Sequence, residues 1–385
     1  MSTPSLRGII STDWHLCNPR LPTRYLVTHQ DTWLKDNVDY IKKADYFFID
    51  GDIFNNATPL HRKDTLLALE HLVKVVGICI KHNTAVRILN GTTSHDYSQA
   101  EFMESFQQLN DKLDIRFISE LSIETSSNGI NILYVPDELN VDSKVTIKQI
   151  LDLKIKQGID HIDLAHVHGS FKFNLPSMAI TDACFDEEEF MTLCRGPIYN
   201  GHIHTKMTYK RIHTVGSIDR YAHGEEEDKG GMYIDVIRTG DVDKPIEYTN
   251  IFLPNHNACV FKTLRLSDKT HGQVIETYAK TIKELIREEE PINIRLVLDP
   301  LSPLHNQLDR IILNNENVIL KVTKDKDIID ESEVDIGIVE EEDTSYDSIT
   351  KDNLFEILST YLLTLYDKKE VKLRLDMLKS HTDIV

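Results

Sequence analysis

The chain has 385 residues and a formal net charge of −19, with 41% apolar and 27% charged residues. That composition excludes a disordered or fibrous chain and gives length enough for two globular domains. No apolar run reaches the length of a bilayer span, and Met1 to Ser5 leads into a strand without a signal-peptide layout, so a cytoplasmic protein with no membrane association is expected.

In chain order, the run Gly8-Ile9-Ile10 reads as a strand that ends on Asp13-Trp14-His15. A helix is expected over residues 31–43. The run Tyr46-Phe47-Phe48-Ile49 then delivers Gly51-Asp52, and a helix over 60–82 follows. The strand Val86-Arg87-Ile88-Leu89 leads into Gly91-Thr92-Thr93-Ser94-His95-Asp96, ahead of a helix over 98–109. Strands over 115–119 and 131–135 and a helix over 144–157 come next. The apolar run from Ile162 to Val167 carries His166 and His168, and Pro197-Ile198-Tyr199 delivers Gly201-His202-Ile203-His204. Strands over 211–215, 232–237 and 246–252 complete an alternating α/β pattern.

Pro254-Asn255-His256-Asn257 marks a boundary. Beyond it, strands over 259–266, 292–298 and 318–322 alternate with helices over 272–289 and 304–313, which describes a small α+β module. Between Asp327 and Asp347 there are ten acidic residues and no Lys or Arg, the pattern of a solvated linker. In the tail, Leu354, Ile357, Leu358, Tyr361, Leu362, Leu365 and Tyr366 follow helical spacing and form an apolar face. The expected domains are therefore 1–253, 254–326, a linker at 327–350 and a helical tail at 351–385.

The chemistry lies where the strands end. Several strands of an α/β sheet that release Asp and His at one edge can converge on a single cleft. Residues two apart share a face, so Asp13 with His15, and His202 with His204, form two rigid pairs. Asp52 adds a carboxylate that can bridge two ions, and His168 adds a nitrogen. Six such donors exceed one tetrahedral site and point to a two-metal centre. Carboxylates and imidazoles without thiolate suit manganese, with magnesium, iron or zinc as alternatives. Cys17, Cys79, Cys184, Cys194 and Cys259 have no C-x-x-C spacing and fit reduced thiols.

At these residues the chain resembles the calcineurin-like metallophosphoesterase superfamily, whose motif order is D-x-H, G-D, G-N-H-D, a lone His, then G-H-x-H. Within it, Asp13-Trp14-His15-Leu16 and Gly51-Asp52-Ile53-Phe54 look like the SbcD branch, the nuclease subunit of the SbcCD double-strand-break repair complex, including its bacteriophage relatives. The resemblance covers roughly residues 5 to 253 and, more loosely, the tail. It implies a four-layer αββα sandwich with a small capping domain and a C-terminal helical tail. It also implies a homodimer that acts on DNA and holds a coiled-coil SbcC-like ATPase through that tail.

The resemblance also assigns roles. Asp13, His15, Asp52, His168, His202 and His204 would hold two Mn2+ ions, or Mg2+. His166 competes with His168 for one position, and the strand exit favours His168. Ser94 stands where the metal-ligating Asn of G-N-H-D is expected. A hydroxyl is a poorer ligand than an amide, so Ser94 binds through water, or Asn90 or a backbone carbonyl substitutes. His95 would protonate the leaving oxygen. Asp96 either orients His95 or caps the helix that follows.

The implied function is a two-metal-dependent DNA nuclease with 3′→5′ exonuclease and single-strand endonuclease activity, serving repair or recombination. The alternatives are a phosphomonoesterase or cyclic-nucleotide phosphodiesterase on the same site, and a weakly active scaffold. A charge of −19 argues against tight DNA binding by this chain alone. Local contacts are available at Arg20, Arg24, Arg62, Lys63, Lys206, Lys210 and Arg211, although each taken singly reads better as a solvated surface charge.

Overall fold

The computed structural model describes residues 5–59, 62–109, 113–137, 140–286, 290–306 and 317–325. The expected linker at 327–350 and tail at 351–385, and most of the helix expected over 304–313, lie outside them. The chain divides into two compact units. Among the described residues, one takes 5–218 and 229–256, and the other takes 219–228 and 257–325.

The first unit is mixed α/β with two parallel-rich sheets of six strands each. In one sheet, β1 (Ser5–Ser11), β2 (Tyr46–Asp50), β3 (Ala85–Leu89) and β4 (Ile115–Ile118) run parallel. The other sheet is built around β6 (Asn131–Val135), β7 (Leu164–His168), β8 (Ile198–Gly201) and β10 (Ile212–Thr214), again parallel, with β5 (Ser122–Thr125) and β9 (Met207–Tyr209) antiparallel at its edges. The chain then returns to the first sheet, where β11 (Gly230–Arg238) pairs antiparallel with β1 and β12 (Ile246–Pro254) pairs with β11. The strands over 122–125 and 207–209, of four and three residues, are too short to announce themselves.

The parallel strands read as near-continuous apolar runs because both faces are buried. One core draws on both sheets: Leu6, Ile10, Phe48, Leu89, Ile234 and Val236 from the first meet Ile132, Tyr134, Leu164 and Tyr199 from the second. A further core lies on the other face of the second sheet. It joins Leu133, Ala165, Val167 and Ile198 to Ile147 and Ile150 of the helix Ser143–Gln157. That helix starts on Asp142, whose side chain accepts the Lys144 N–H, and ends on Gly158 at φ 65°. Helices Thr23–Asp36 and Lys63–His82 bury Leu26, Val27, Trp33, Leu69, Leu72 and Val76. The helical segment expected over 98–109 is a 3-10 helix, Gln99–Leu109.

In the second unit β13 (Val260–Arg265), β14 (Ile292–Leu298) and β15 (Val318–Lys324) form a parallel sheet. The helix His271–Leu285 lays Val274, Tyr278 and Ile282 against Ile292, Ile294 and Leu296. Its start is fixed by a capping box in which Thr270 and Gln273 exchange hydrogen bonds. Among the described residues no helix is long and apolar enough to cross a membrane.

Candidate metal centre

The donors lie at the carboxyl ends of parallel strands in both sheets. β1 leads to Asp13 and His15, β2 to Asp52, and β3 to the loop Gly91–Asp96. β6 leads to Asp137, β7 ends on His168, and β8 leads to His202 and His204. The turns are tight. Asp13 has φ 52°, His15 φ 43°, Asp52 φ 50° and His202 φ 77°, all in the left-handed region that non-glycine residues rarely occupy. Such backbone persists where surrounding bonds over-determine it. Here the Asp13 N–H donates to Gly51 O at 3.1 Å, the His15 N–H to Asp52 O at 2.9 Å and the Leu16 N–H to Ile53 O at 2.8 Å. Two glycines are required by proximity. A Cβ on Gly51 would overlap the His168 ring, and one on Gly201 would overlap Asp50 O and the Thr12 hydroxyl.

Among the described residues the donors fall into three overlapping groups: Asp13, His15 and His204; Asp52, His168 and His202; and His15, Asp52 and His95. Within each group the donor atoms lie within 4.8 Å of one another. Asp52 is the hinge of the arrangement. Its Oδ2 lies 3.0 Å from His95 Nδ1 and 3.9 Å from His15 Nε2, while its Oδ1 lies 3.4 Å from His168 Nε2. The Thr92 N–H also donates to Asp52 Oδ1, at 2.7 Å.

The donor set fits a divalent ion. It contains carboxylates and imidazoles, the chemistry of manganese, magnesium, iron or zinc sites. His168 Nε2 is buried and makes no hydrogen bond, although it faces Asp52. Its tautomer is set from behind, because His168 Nδ1 lies 2.6 Å from Asp50 O and donates to it. The electrostatics agree. Burial lowers the His168 pKa, but the charges of Asp52, Asp13 and Asp137 carry it well above the usual value. Burial raises Asp52, yet His168, His95 and His15 hold it well below the carboxylate range. For Asp13 burial prevails over His168 and His204, and its pKa is raised. These are buried groups competing for positive charge, and a cation answers that competition.

Two residues differ from their expected places. Ser94 is exposed. The hydroxyl of Thr92, directly after Gly91, lies 3.2 Å from His202 Nδ1 and 3.4 Å from Asp52 Oδ2. The loop is two residues longer than G-N-H-D, and the extra length falls after the position that enters the site. The Asn90 Oδ1 accepts the Ser98 hydroxyl at 3.3 Å, and its carbonyl accepts the Asp137 N–H at 3.4 Å. Asp96 neither contacts His95 by a hydrogen bond nor caps the following helix through its side chain. Its two carboxylate oxygens accept the N–H groups of Phe54 at 2.9 Å and Gly91 at 3.0 Å, which ties the second loop to the third. Burial and the Asp52 charge push Asp96 up to about 7. The carboxylate beside His95 is Asp52.

His166 is spoken for elsewhere. Its Nδ1 lies 2.7 Å from Asp50 Oδ2, and its ring stacks on Phe48 with centroids 3.9 Å apart. Sequence reasoning missed Asp137 and Asp50, because neither belongs to a matched motif, and it passed over Thr92 because Ser94 is the residue directly before His95. Of the basic candidates, Arg211 donates to the carbonyls of Met191 and Cys194, Lys210 pairs with Glu188, and Lys206 sits over the Phe252 ring. Burial and Asp64 push the Cys17 thiol up to about 12, which leaves it unreactive.

No protein-family model matches the chain, and no curated protein matches it. Among solved structures it is similar to GAP50, the anchor in the inner membrane complex of Plasmodium, at 12% identity and a TM-score of 0.34, over 65% of this chain and 89% of that one. It is also similar to Vps29 of Chaetomium thermophilum, at 9% identity and a TM-score of 0.24, over 65% of this chain and all of the other. Likenesses at these scores carry no weight for fold or function.

Proposed function

We propose that the chain is a two-metal-dependent DNA nuclease, the SbcD-like subunit of a repair or recombination complex, built on a four-layer αββα sandwich with residues 254–326 as its cap. The observation that carries this reading is the pair of donor groups, Asp13–His15–His204 and Asp52–His168–His202, set side by side with His95 3.0 Å from Asp52. Asp13, His15, His204, Asp52, His168 and His202 would hold the ions. Bound there, they would supply an activated water and neutralise the oxygens of a phosphodiester.

The remaining roles belong to the chain's own groups. His95 stands at the rim with its side chain 18% exposed, and its Nδ1 is set against Asp52. Nε2 is the atom we assign to the proton that goes to the departing 3′-oxygen. Asp96 fixes the loop that carries His95 by clamping Gly91 to Phe54. Asp50 holds the His168 tautomer. With a chain charge of −19, productive DNA binding is assigned to the complex. The ATPase-docking role of 351–385 rests on the spacing of Leu354, Leu358, Tyr361, Leu362 and Leu365.

The test is digestion of end-labelled duplex and single-stranded DNA with manganese, alone and with the co-encoded coiled-coil ATPase. Shortening from the 3′ end is expected, together with co-purification that is lost on deleting 351–385. A chain that binds manganese, cuts neither DNA, and hydrolyses a phosphomonoester would transfer the site to the phosphatase reading.

A further inference from the structure

Asp137 is a carboxylate that no motif announces. It follows β6 at the same edge as the donors, and its side chain is 15% exposed. Its Oδ2 accepts the Thr92 hydroxyl at 3.0 Å and lies 3.8 Å from His202 Nδ1. Thr92 Oγ1 is in turn 3.2 Å from His202 Nδ1 and 3.4 Å from Asp52 Oδ2. Among the described residues, the ion-pair partners of Asp52 are histidines, and that of Asp137 is His202. Among the described residues, two carboxylates thus flank His202 with no lysine or arginine paired to them. A mostly buried anion in that position needs a cation or a proton.

We infer that Asp137, with the Thr92 hydroxyl beside it, completes the donor group of Asp52, His168 and His202, and takes the place that an amide would fill. This rests on the two-metal reading. The chemistry differs in kind from the arrangement expected from sequence. A neutral donor carried on the third loop is exchanged for a charged oxygen delivered by a different strand. Two ligand atoms about 2.0–2.2 Å from one ion lie no more than about 4.4 Å apart. The separations from Asp137 to His202 and from Thr92 to both fall inside that limit, whereas Asp137 is not within 4.8 Å of all three of Asp52, His168 and His202, so its side chain would have to swing inward from the His202 side to share their ion. An added carboxylate oxygen is a hard donor and favours manganese or magnesium over softer ions.

The experiment is manganese binding to the full-length chain by calorimetry, with stoichiometry checked by mass spectrometry. The wild type should bind two ions. Asp137→Ala should weaken one of them at least about tenfold and leave the other unchanged, and Thr92→Val should weaken the same one. As a readout independent of affinity, Asp137→Cys loaded with cobalt should show a thiolate-to-cobalt charge-transfer band that the wild type lacks. If Asp137→Ala and Asp137→Cys bind two ions as the wild type does and no such band appears, Asp137 is not a ligand, and the two-metal reading stands without it. If Ser94→Ala loses the ion instead, the ligand is the serine and the inference is overturned. A wild-type chain that binds no manganese removes both readings.

Discussion

His15 Nε2 and His204 Nε2 lie 2.9 Å apart although 189 residues separate them in the chain. Their rings meet edge to face with centroids 4.9 Å apart. At that distance two neutral imidazoles require that one present its proton to the other. His15 comes from the first sheet and His204 from the second, so the contact also fixes the spacing of the two sheet edges at the centre.

Asp52 belongs to two of the donor groups, and its loss should be the most damaging single change. Asn is the appropriate replacement, because it keeps the shape and tolerates the left-handed backbone at φ 50°. Asp52→Asn is expected to lower manganese-dependent DNA cleavage at least about 10³-fold and to reduce bound metal. Cleavage within about tenfold of wild type would remove Asp52 from the centre.

His95→Ala should cut turnover by about 10²–10⁴ while metal content stays unchanged, as expected for loss of a general acid. Metal content decides the matter, because His95 also lies in a donor group with His15 and Asp52. A variant purified with fewer ions would make His95 a ligand.

Behind the centre, His166 and Asp50 are 0% and 1% exposed and joined at 2.7 Å. His166→Phe keeps the stack on Phe48 and leaves the Asp50 carboxylate without its partner. The expected cost is about 1–3 kcal/mol or more in denaturant melts. The double variant His166→Phe, Asp50→Leu should recover part of that stability, since no orphaned carboxylate remains. A double variant that simply sums the two losses would show that the pair is not coupled.

Stability should fall on the acid side through His213. Burial lowers its pKa from 6.5 to about 4, and its ring stacks on Tyr199 with centroids 5.6 Å apart. Between those values the unfolded chain takes up a proton that the folded chain refuses, so stability drops as pH falls from 6.5 to 4. The contribution is about 1–2 kcal/mol once its partial exposure is allowed for. His213→Phe should flatten that limb of the pH–stability curve. An unchanged limb would assign the acid sensitivity elsewhere.

Much of this was legible in the sequence for a local reason. Apolar runs such as Tyr46–Ile49 and Asn131–Val135 are strands because both faces are covered, and donors placed at their exits need no long-range information. What failed to show was register and distance. Ser94 precedes His95 and so looks like the ligand, but the longer loop puts Thr92 in the site. Asp137 and Asp50 act across strands, through contacts to residues 45 and 116 positions away, and no spacing along the chain encodes those. The start of the first helix was obscured because Thr23–Asp36 opens on polar residues after Pro22.

The division of the donors between two sheets sets the order of events in folding. A nascent chain that has emerged as far as the loop after β3 already carries Asp13, His15, Asp52 and His95, but none of the nitrogens that β7 and β8 supply. Neither the group of Asp13, His15 and His204 nor that of Asp52, His168 and His202 is whole until the second sheet has formed and docked, and that pairing spans almost two hundred residues. An ion that needs either of these groups whole would bind only once the sheets have docked, and so would slow unfolding more than it speeds folding.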